Sequence, residues 1–201
     1  AGMQVGEAYG CMIVDIGGGT TEIAVISMGR CVVRDSVKIA GDQLDDAIIR
    51  YIRRKHNMVI GEVTAEDLKI NIGSALRLPE QLYMEVSGRN LISGLPKVMR
   101  ITSDEVTEAM DEPLAELMES IHAVLEQTPA ELAADIFDRG IVLTGGGAQL
   151  GMLCQAVSQT LKIDCRLADD PHESVARGCG MTLEHWSEYG RFVGDRRRKT
   201  V

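Results

Sequence analysis

One stretch restricts the fold of this chain more than any other: Met12-Ile13-Val14-Asp15-Ile16-Gly17-Gly18-Gly19-Thr20-Thr21-Glu22-Ile23-Ala24-Val25-Ile26-Ser27. An apolar run ends in an acid, passes through three glycines and two hydroxyls, and becomes a second apolar run. This pattern predicts a β-hairpin. Three consecutive glycines let backbone N–H groups approach an anion with no side chain in the way. Asp15 closes the first strand and suits a hydrated Mg²⁺, which prefers carboxylate oxygen and keeps most of its waters. Thr20 and Thr21 offer hydroxyls for phosphate oxygens or for orienting a water. The stretch is not a Walker loop, because no Gly-Lys-Ser/Thr follows. Nor is it a Rossmann fingerprint, because the second element reads as a strand. A tight hairpin with no ligand is the plain alternative.

A second glycine cluster weighs against that alternative. In Gly140-Ile141-Val142-Leu143-Thr144-Gly145-Gly146-Gly147-Ala148-Gln149-Leu150 an apolar strand runs into three glycines. A helical pattern follows at Leu150, Leu153, Val157 and Leu161. Glycines at a strand-to-helix turn let a flat ligand lie against backbone, and a helix N-terminus favours negative charge. By itself this turn reads equally well as a plain connection. Two such turns in one chain suggest a nucleotide gripped at both ends.

The remaining pattern is α/β. Three strands are expected between Ala8 and Lys38, turning at Gly17 to Gly19 and at Met28-Gly29-Arg30. A helix from about Asp42 to His56 buries Leu44, Ile48, Ile49 and Ile52. A second helix is predicted to start at Thr64, with Asp67 completing a capping box. Short strands are expected at Glu80 to Val86, Arg89 to Ile92 and Lys97 to Ile101, with a turn at Ser87-Gly88. Thr102 and Glu105 cap a long helix to about Gln127, with Pro113 inside it. Thr128-Pro129-Ala130-Glu131 starts another helix, with Pro at its first position and Glu reaching back. A strand around Cys165 to Leu167 and a helix from about His172 to Trp186 finish the chain.

Composition excludes several classes of function. A net charge of −9 argues against general nucleic-acid binding. Five scattered cysteines with no Cys-x-x-Cys pair make a zinc site unexpected and suit reduced thiols. No apolar run is long enough to span a bilayer. Asp42 and Asp45 read as structural charges at a helix N-terminus. His56, His122, His172 and His185 read as isolated surface or helix-end residues. Arg196-Arg197-Arg198-Lys199 reads as a solvated tail.

The two glycine turns resemble the second phosphate motif and the adenosine motif of the actin–hexokinase–heat-shock-chaperone superfamily of ATPases. Within it the wording is most similar to the MreB family of bacterial actin homologues. Asp45-Asp46-Ala47-Ile48-Ile49, Thr64-Ala65-Glu66, Ile72-Gly73-Ser74-Ala75, Pro129-Ala130-Glu131-Leu132-Ala133 and Asp169-Asp170-Pro171 carry the resemblance in order, from about Ala1 to His185. It implies an actin-like, ribonuclease H-like ATPase domain: a mixed sheet flanked by helices. A larger lobe would span residues 1–40 and 102–201, with a smaller α+β lobe at 41–101 inserted into it. The first phosphate hairpin and the glutamate that activates water in that family have no counterpart here, so the resemblance is to the C-terminal half.

By the same resemblance the cofactors are ATP and Mg²⁺. Asp15 would hold the metal through water. Gly17, Gly18, Gly19, Thr20 and Thr21 would bind phosphate, with Thr20 helping to position the hydrolytic water. Glu66, Lys69, Gly73, Gly145, Gly146 and Gly147 would hold adenosine. The resemblance further implies cytoplasmic, membrane-associated filaments that self-associate, maintain rod shape and work with the cell-wall elongation machinery. Membrane contact would come from the half that is not matched. Some wording departs from the family: Ala40-Gly41, Ile70-Asn71, Gln149, Gly151 and Met152. A sugar kinase or chaperone of the superfamily, and a nucleotide-free interaction module on this fold, remain as alternatives.

Overall fold

The computed structural model describes residues 2–190. The apolar runs on both sides of the first glycine cluster form β1 (Cys11–Ile16) and β2 (Thr21–Ser27), paired antiparallel with Ile16 opposite Thr21. β3 (Arg30–Val37) extends this meander. Met28 and Gly29, both at positive φ, make the two-residue turn between β2 and β3. The second apolar run is β7 (Ile141–Thr144), which lies parallel to β1, and β8 (Cys165–Leu167) lies parallel to β7. The sheet order is therefore β3-β2-β1-β7-β8, a mixed sheet. All four residues of β7 are buried, whereas β1 encloses Met12, Val14 and Ile16 on one face and leaves Ile13 and Asp15 half-buried on the other.

Helices cover this sheet. α1 (Gly41–His56) follows β3 and buries Leu44, Ala47, Ile48, Tyr51 and Ile52 on one stripe. α3 (Ser103–Glu126) packs against α1 and runs unbroken through Pro113. The predicted capping box opens it: Glu105 N–H donates to the Thr102 hydroxyl, and the Glu105 carboxylate accepts from Thr102 N–H. α4 (Ala130–Arg139) leads into β7. α5 (Leu153–Leu161), α6 (Ser174–Glu184) and α7 (Trp186–Tyr189) complete the described chain. Between α1 and α3 lie β4 (Met58–Val59), α2 (Glu62–Ile72), β5 (Tyr83–Asn90) and β6 (Pro96–Thr102). Here β4, β5 and β6 make a separate antiparallel sheet of three strands. One apolar core runs from β1 and β7 through α1 and α3 to Met58, Ile60 and Val86 beside this second sheet.

Several local expectations are corrected. α2 begins at Glu62, not Thr64, and no side chain caps it, so the Thr64–Asp67 box does not form. Ser87-Gly88 is not a turn but the middle of β5. Gly88 is required there because a Cβ would sit 2.5 Å from the Val59 carbonyl oxygen of β4. The Pro129 helix has no Glu cap either, and Thr128 turns back to donate its hydroxyl to the Val124 carbonyl at 2.7 Å. The last long helix is divided at His185 into α6 and α7. The basic run at residues 196–199 lies outside the described residues.

Candidate nucleotide site

The first glycine turn is built by backbone. Gly17 N–H donates to the Thr20 carbonyl at 3.0 Å and closes the hairpin tip. The tip is then clamped onto the start of α1. Gly41 N–H donates to the Gly17 carbonyl at 3.1 Å, and Asp42 N–H donates to the Gly18 carbonyl at 2.8 Å. These two contacts satisfy orphan donors of a helix that has no side-chain cap. The N–H groups of Gly18 and Gly19 have no backbone acceptor among the described residues.

The second glycine turn docks against the first. Gly145, at φ +86°, passes so close to the end of β1 that a Cβ there would lie 2.3 Å from the Ile16 carbonyl oxygen and 2.5 Å from Asp15 Oδ1. Its N–H donates to the Pro171 carbonyl at 3.0 Å. The three glycines do not open a helix directly, as the sequence predicts. A single 3₁₀ turn at Gly147–Gln149 intervenes, and α5 starts only at Leu153. The α5 dipole is therefore displaced from the glycines, and with the Gly145 amide spent on Pro171 the Gly146 amide, which has no backbone acceptor among the described residues, is the donor left to a ligand.

Between the two turns lies a cleft of about 390 Å³. One wall is Gly17, Gly18, Gly41 and Asp42; another is Glu66, Lys69 and Ile70 of α2; the third is Gly146, Gly147 and Gln149 to Gly151 with His172. The structure thus brings together Gly17, Gly18, Glu66, Lys69, Gly146 and Gly147 of the residues predicted from sequence. It places others differently. Gly19 and Thr20 are exposed at the hairpin tip, outside the cleft wall. Thr21 is fully buried and spends its hydroxyl on the Ile39 carbonyl at 2.5 Å, so its expected role as a phosphate ligand is corrected to a structural one. Gly73 ends α2, where a Cβ would meet the Lys69 carbonyl oxygen at 2.3 Å; it shapes the helix end and does not line the cleft. Gly145 is buried behind Gly146.

The charges are arranged across α1 and α2. Lys69 does not pair with Glu66, its neighbour on the helix. Its Nζ donates to Asp45 Oδ2 at 2.7 Å and to the Gly41 carbonyl at 3.2 Å. Asp45 Oδ1 is buried with no partner. Burial pushes the Asp45 carboxyl up, and the Lys69 ammonium only partly offsets this. Asp15 is also raised, first by burial and then by the Glu22 carboxylate. A single half-buried carboxylate beside two glycine turns fits a magnesium ion that takes its other ligands from water and phosphate. Among the described residues no cluster of three His, Cys, Asp or Glu side chains could hold a metal alone.

Sequence reasoning missed four contributors. Asp42 reads there as a structural charge, yet its carboxylate lies beside Gly18 on the same wall of the cleft, where a Cβ on Gly18 would be 3.4 Å from Asp42 Oδ1. Gly41 and Gly151 line the cleft with no motif of their own. His172 reads as isolated, yet it packs on Gly146 and contacts the Gln149 side-chain amide. The Gly145 N–H and the Thr144 hydroxyl both donate to the Pro171 carbonyl and bring His172 to the site, and no local pattern announces it.

The family model described as MreB/Mbl protein matches residues 1–191. The chain belongs to the MreB/Mbl family. It is 48% identical over 190 residues to the cell shape-determining protein MreB of Escherichia coli (strain K12), covering 94% of this chain and 55% of that protein. It is 46% identical over 187 residues to the cell shape-determining protein Mbl of Bacillus subtilis (strain 168), covering 92% and 56%. The chain spans about half the length of the curated relatives it matches. Among solved structures it superposes on MreB 5 of Spiroplasma citri bound to AMPPNP with a TM-score of 0.90 and 35% identity, covering 96% of this chain and 58% of that one. The MamK double helical filament shares the fold at a TM-score of 0.73 and 22% identity, covering 87% and 54%. The fold is accordingly that of an actin-like ATPase domain. No helix among the described residues is long and apolar enough to cross a membrane.

Proposed function

We propose that this chain is the nucleotide-binding C-terminal half of a cell shape-determining actin homologue that assembles into ATP-dependent filaments. The observation that carries the reading is the cleft itself, which is lined from two independent glycine turns, with Gly18 and Gly146 keeping amides that have no backbone acceptor among the described residues. The AMPPNP- and ADP-bound states of MreB 5, which superposes over nearly the whole chain, support a nucleotide as its occupant. ATP phosphates would lie at Gly17 and Gly18, where amide dipoles favour negative charge. Adenosine would lie along Gly146, Gly147 and Ile70, with Glu66 beside the ribose. Lys69, held by Asp45, would set the spacing between α1 and α2 that fixes the width of the cleft. A bound Mg²⁺ would neutralise phosphate charge during transfer, and Asp15 would hold its water shell. Thr20, exposed at the tip, would position the attacking water.

The lobe boundaries at residues 41 and 101, and coupling of filaments to wall synthesis at the inner membrane face, belong to the same proposal. Phosphoryl transfer needs phosphate, metal and water fixed together, so this half alone should bind nucleotide weakly and turn over none. The test uses the whole protein encoded with this chain. ATP-dependent sedimentation and ATP turnover, the turnover lost in Thr20→Ala, are expected. A whole protein that sediments equally with and without ATP and fails to bind it would overturn the reading in favour of a nucleotide-free interaction module.

A further inference from the structure

One wall of the cleft carries a polar pair that the nucleotide reading leaves unused. His172 follows Pro171, whose carbonyl is fixed by the Gly145 N–H and the Thr144 hydroxyl. These bonds lay the imidazole against the second glycine turn. A Cβ on Gly146 would stand 3.3 Å from both Nδ1 and Cε1, so that edge of the ring lies against Gly146. The other ring nitrogen is taken by Gln149 of the 3₁₀ turn, whose side-chain amide nitrogen meets Nε2. An amide NH₂ only donates, so Nε2 accepts and the ring proton is on Nδ1, beside Gly146. The segment is held from its far side too. The Gly151 carbonyl accepts from Ala75 N–H at 2.7 Å and from the Ser74 hydroxyl at 3.1 Å, just beyond the end of α2. Ile70, Gln149 and Gly151, three positions where the wording departs from the family, all line this cleft.

We propose that His172 reads the base at this site: its Nδ1–H donates to an unsubstituted ring nitrogen of a purine nucleotide lying along Gly146, and Gln149 is the positioning residue that holds the ring in that tautomer. The inference rests on the nucleotide reading of the cleft and names the group that recognises the base. The other cleft side chains leave that task open. Asp42 and Glu66 carry carboxylates, which accept and do not donate. Lys69 Nζ is spent on Asp45 and the Gly41 carbonyl, and Ile70 and Leu150 are apolar. N1, N3 and N7 of adenine are acceptors only, so a carboxylate cannot read them and an N–H can. His172, held by Gln149, is the side-chain donor that remains. Backbone amides at Gly17 and Gly18 would grip phosphate whatever the base, so base recognition falls to this wall.

The test is calorimetric titration of the whole protein encoded with this chain, using ADP, its 1-deaza, 3-deaza and 7-deaza analogues, and inorganic pyrophosphate as the probe without a base. One of the three analogues should bind the natural protein about 3–10-fold more weakly than ADP, the size of one hydrogen bond. His172→Phe keeps a flat ring without the donor, and should bind ADP and that analogue alike. Gln149→Leu should lose part of the same factor, and Gln149→Leu/His172→Phe no more than His172→Phe alone. Pyrophosphate affinity should be unchanged in every variant, which a collapse of the cleft would not allow. The proposal is overturned, with the nucleotide reading intact, if the natural protein binds ADP and all three analogues equally, if the weakening persists in His172→Phe, or if pyrophosphate binding falls along with that of ADP. Full ADP affinity in Gln149→Leu would overturn the positioning role. A natural protein that binds neither ADP nor pyrophosphate would overturn the nucleotide reading itself, and this inference with it.

Discussion

Two adjacent glycines of the same turn should respond oppositely to one methyl group. Gly145 sits at φ +86°, and its Cβ would fall 2.3 Å from the Ile16 carbonyl oxygen and 2.5 Å from Asp15 Oδ1. Neither neighbour can withdraw: one is strand backbone, the other the end of a short side chain at the strand end. The left-handed backbone costs a residue with a Cβ about 1–2 kcal/mol, and overpacking adds about 1–3 kcal/mol, so Gly145→Ala should lose roughly 2–5 kcal/mol. That is a large share of the about 5–15 kcal/mol that holds a domain folded. Gly146 has φ −62°, and its nearest neighbour is the exposed His172 ring, 3.3 Å from the added carbon. The ring can turn aside, so Gly146→Ala should cost under about 0.5 kcal/mol, as exposed sites usually do. Urea unfolding of both variants measures the contrast. With a slope of about 2 kcal/mol/M, Gly145→Ala should lower the midpoint by roughly 1–2.5 M while Gly146→Ala leaves it in place. Equal midpoints, or a larger loss for Gly146→Ala, would refute the close-approach argument.

The two threonines after the first glycines should separate in the same way. Thr21→Val removes the buried donor to the Ile39 carbonyl and should cost about 1–2 kcal/mol, whereas exposed Thr20→Val should leave thermal stability unchanged. Lys69→Met strands the enclosed Asp45 carboxylate and should cost about 3 kcal/mol, most of it recovered in the double variant Lys69→Met/Asp45→Leu, as a denaturation cycle would show. Acid should weaken the chain through Glu105. Burial alone would raise this carboxyl, but bonds from the Thr102 N–H and hydroxyl and from His56 outweigh it and hold it below its ordinary value. The folded pKa is depressed, so its contribution is present above the unfolded pKa and is lost as pH falls through the folded one. Urea midpoints of Glu105→Gln should vary less with pH in that acid range than those of the natural sequence. Asp15 has the opposite sign: its folded pKa is raised, so Asp15→Asn should stabilise the metal-free chain at neutral pH while weakening any Mg²⁺ dependence of nucleotide binding.

The strand–glycine–strand runs were legible in sequence because apolar runs broken by consecutive glycines leave few alternatives to a turn. α1 and α3 were legible because Leu44, Ile48 and Ile52, and Val106, Met110, Leu114 and Leu117, repeat at helical spacing. The errors have a common cause. Gly88 reads as a turn by its intrinsic freedom, but the strand it interrupts is held by cross-strand bonds, and the glycine serves close passage of β4. Thr21 and Thr20 look alike in sequence, and only the pleat of β2, which turns Thr21 inward, separates them. Lys69 has Glu66 at helical spacing, yet Asp45 from another helix captures it, because tertiary packing encloses both partners. Asp42 reaches the cleft through its own backbone bond to Gly18, and His172 through the bonds to its neighbour Pro171, which no periodicity records.

Amide chemical shifts of the isotopically labelled chain, titrated with Mg·AMPPNP, test the central claim most directly. The account predicts saturable shifts confined to the Gly17–Gly18 turn, the Gly146–Gly147 turn and the Glu66–Ile70 face of α2. Shifts elsewhere, or none at millimolar nucleotide, would contradict it.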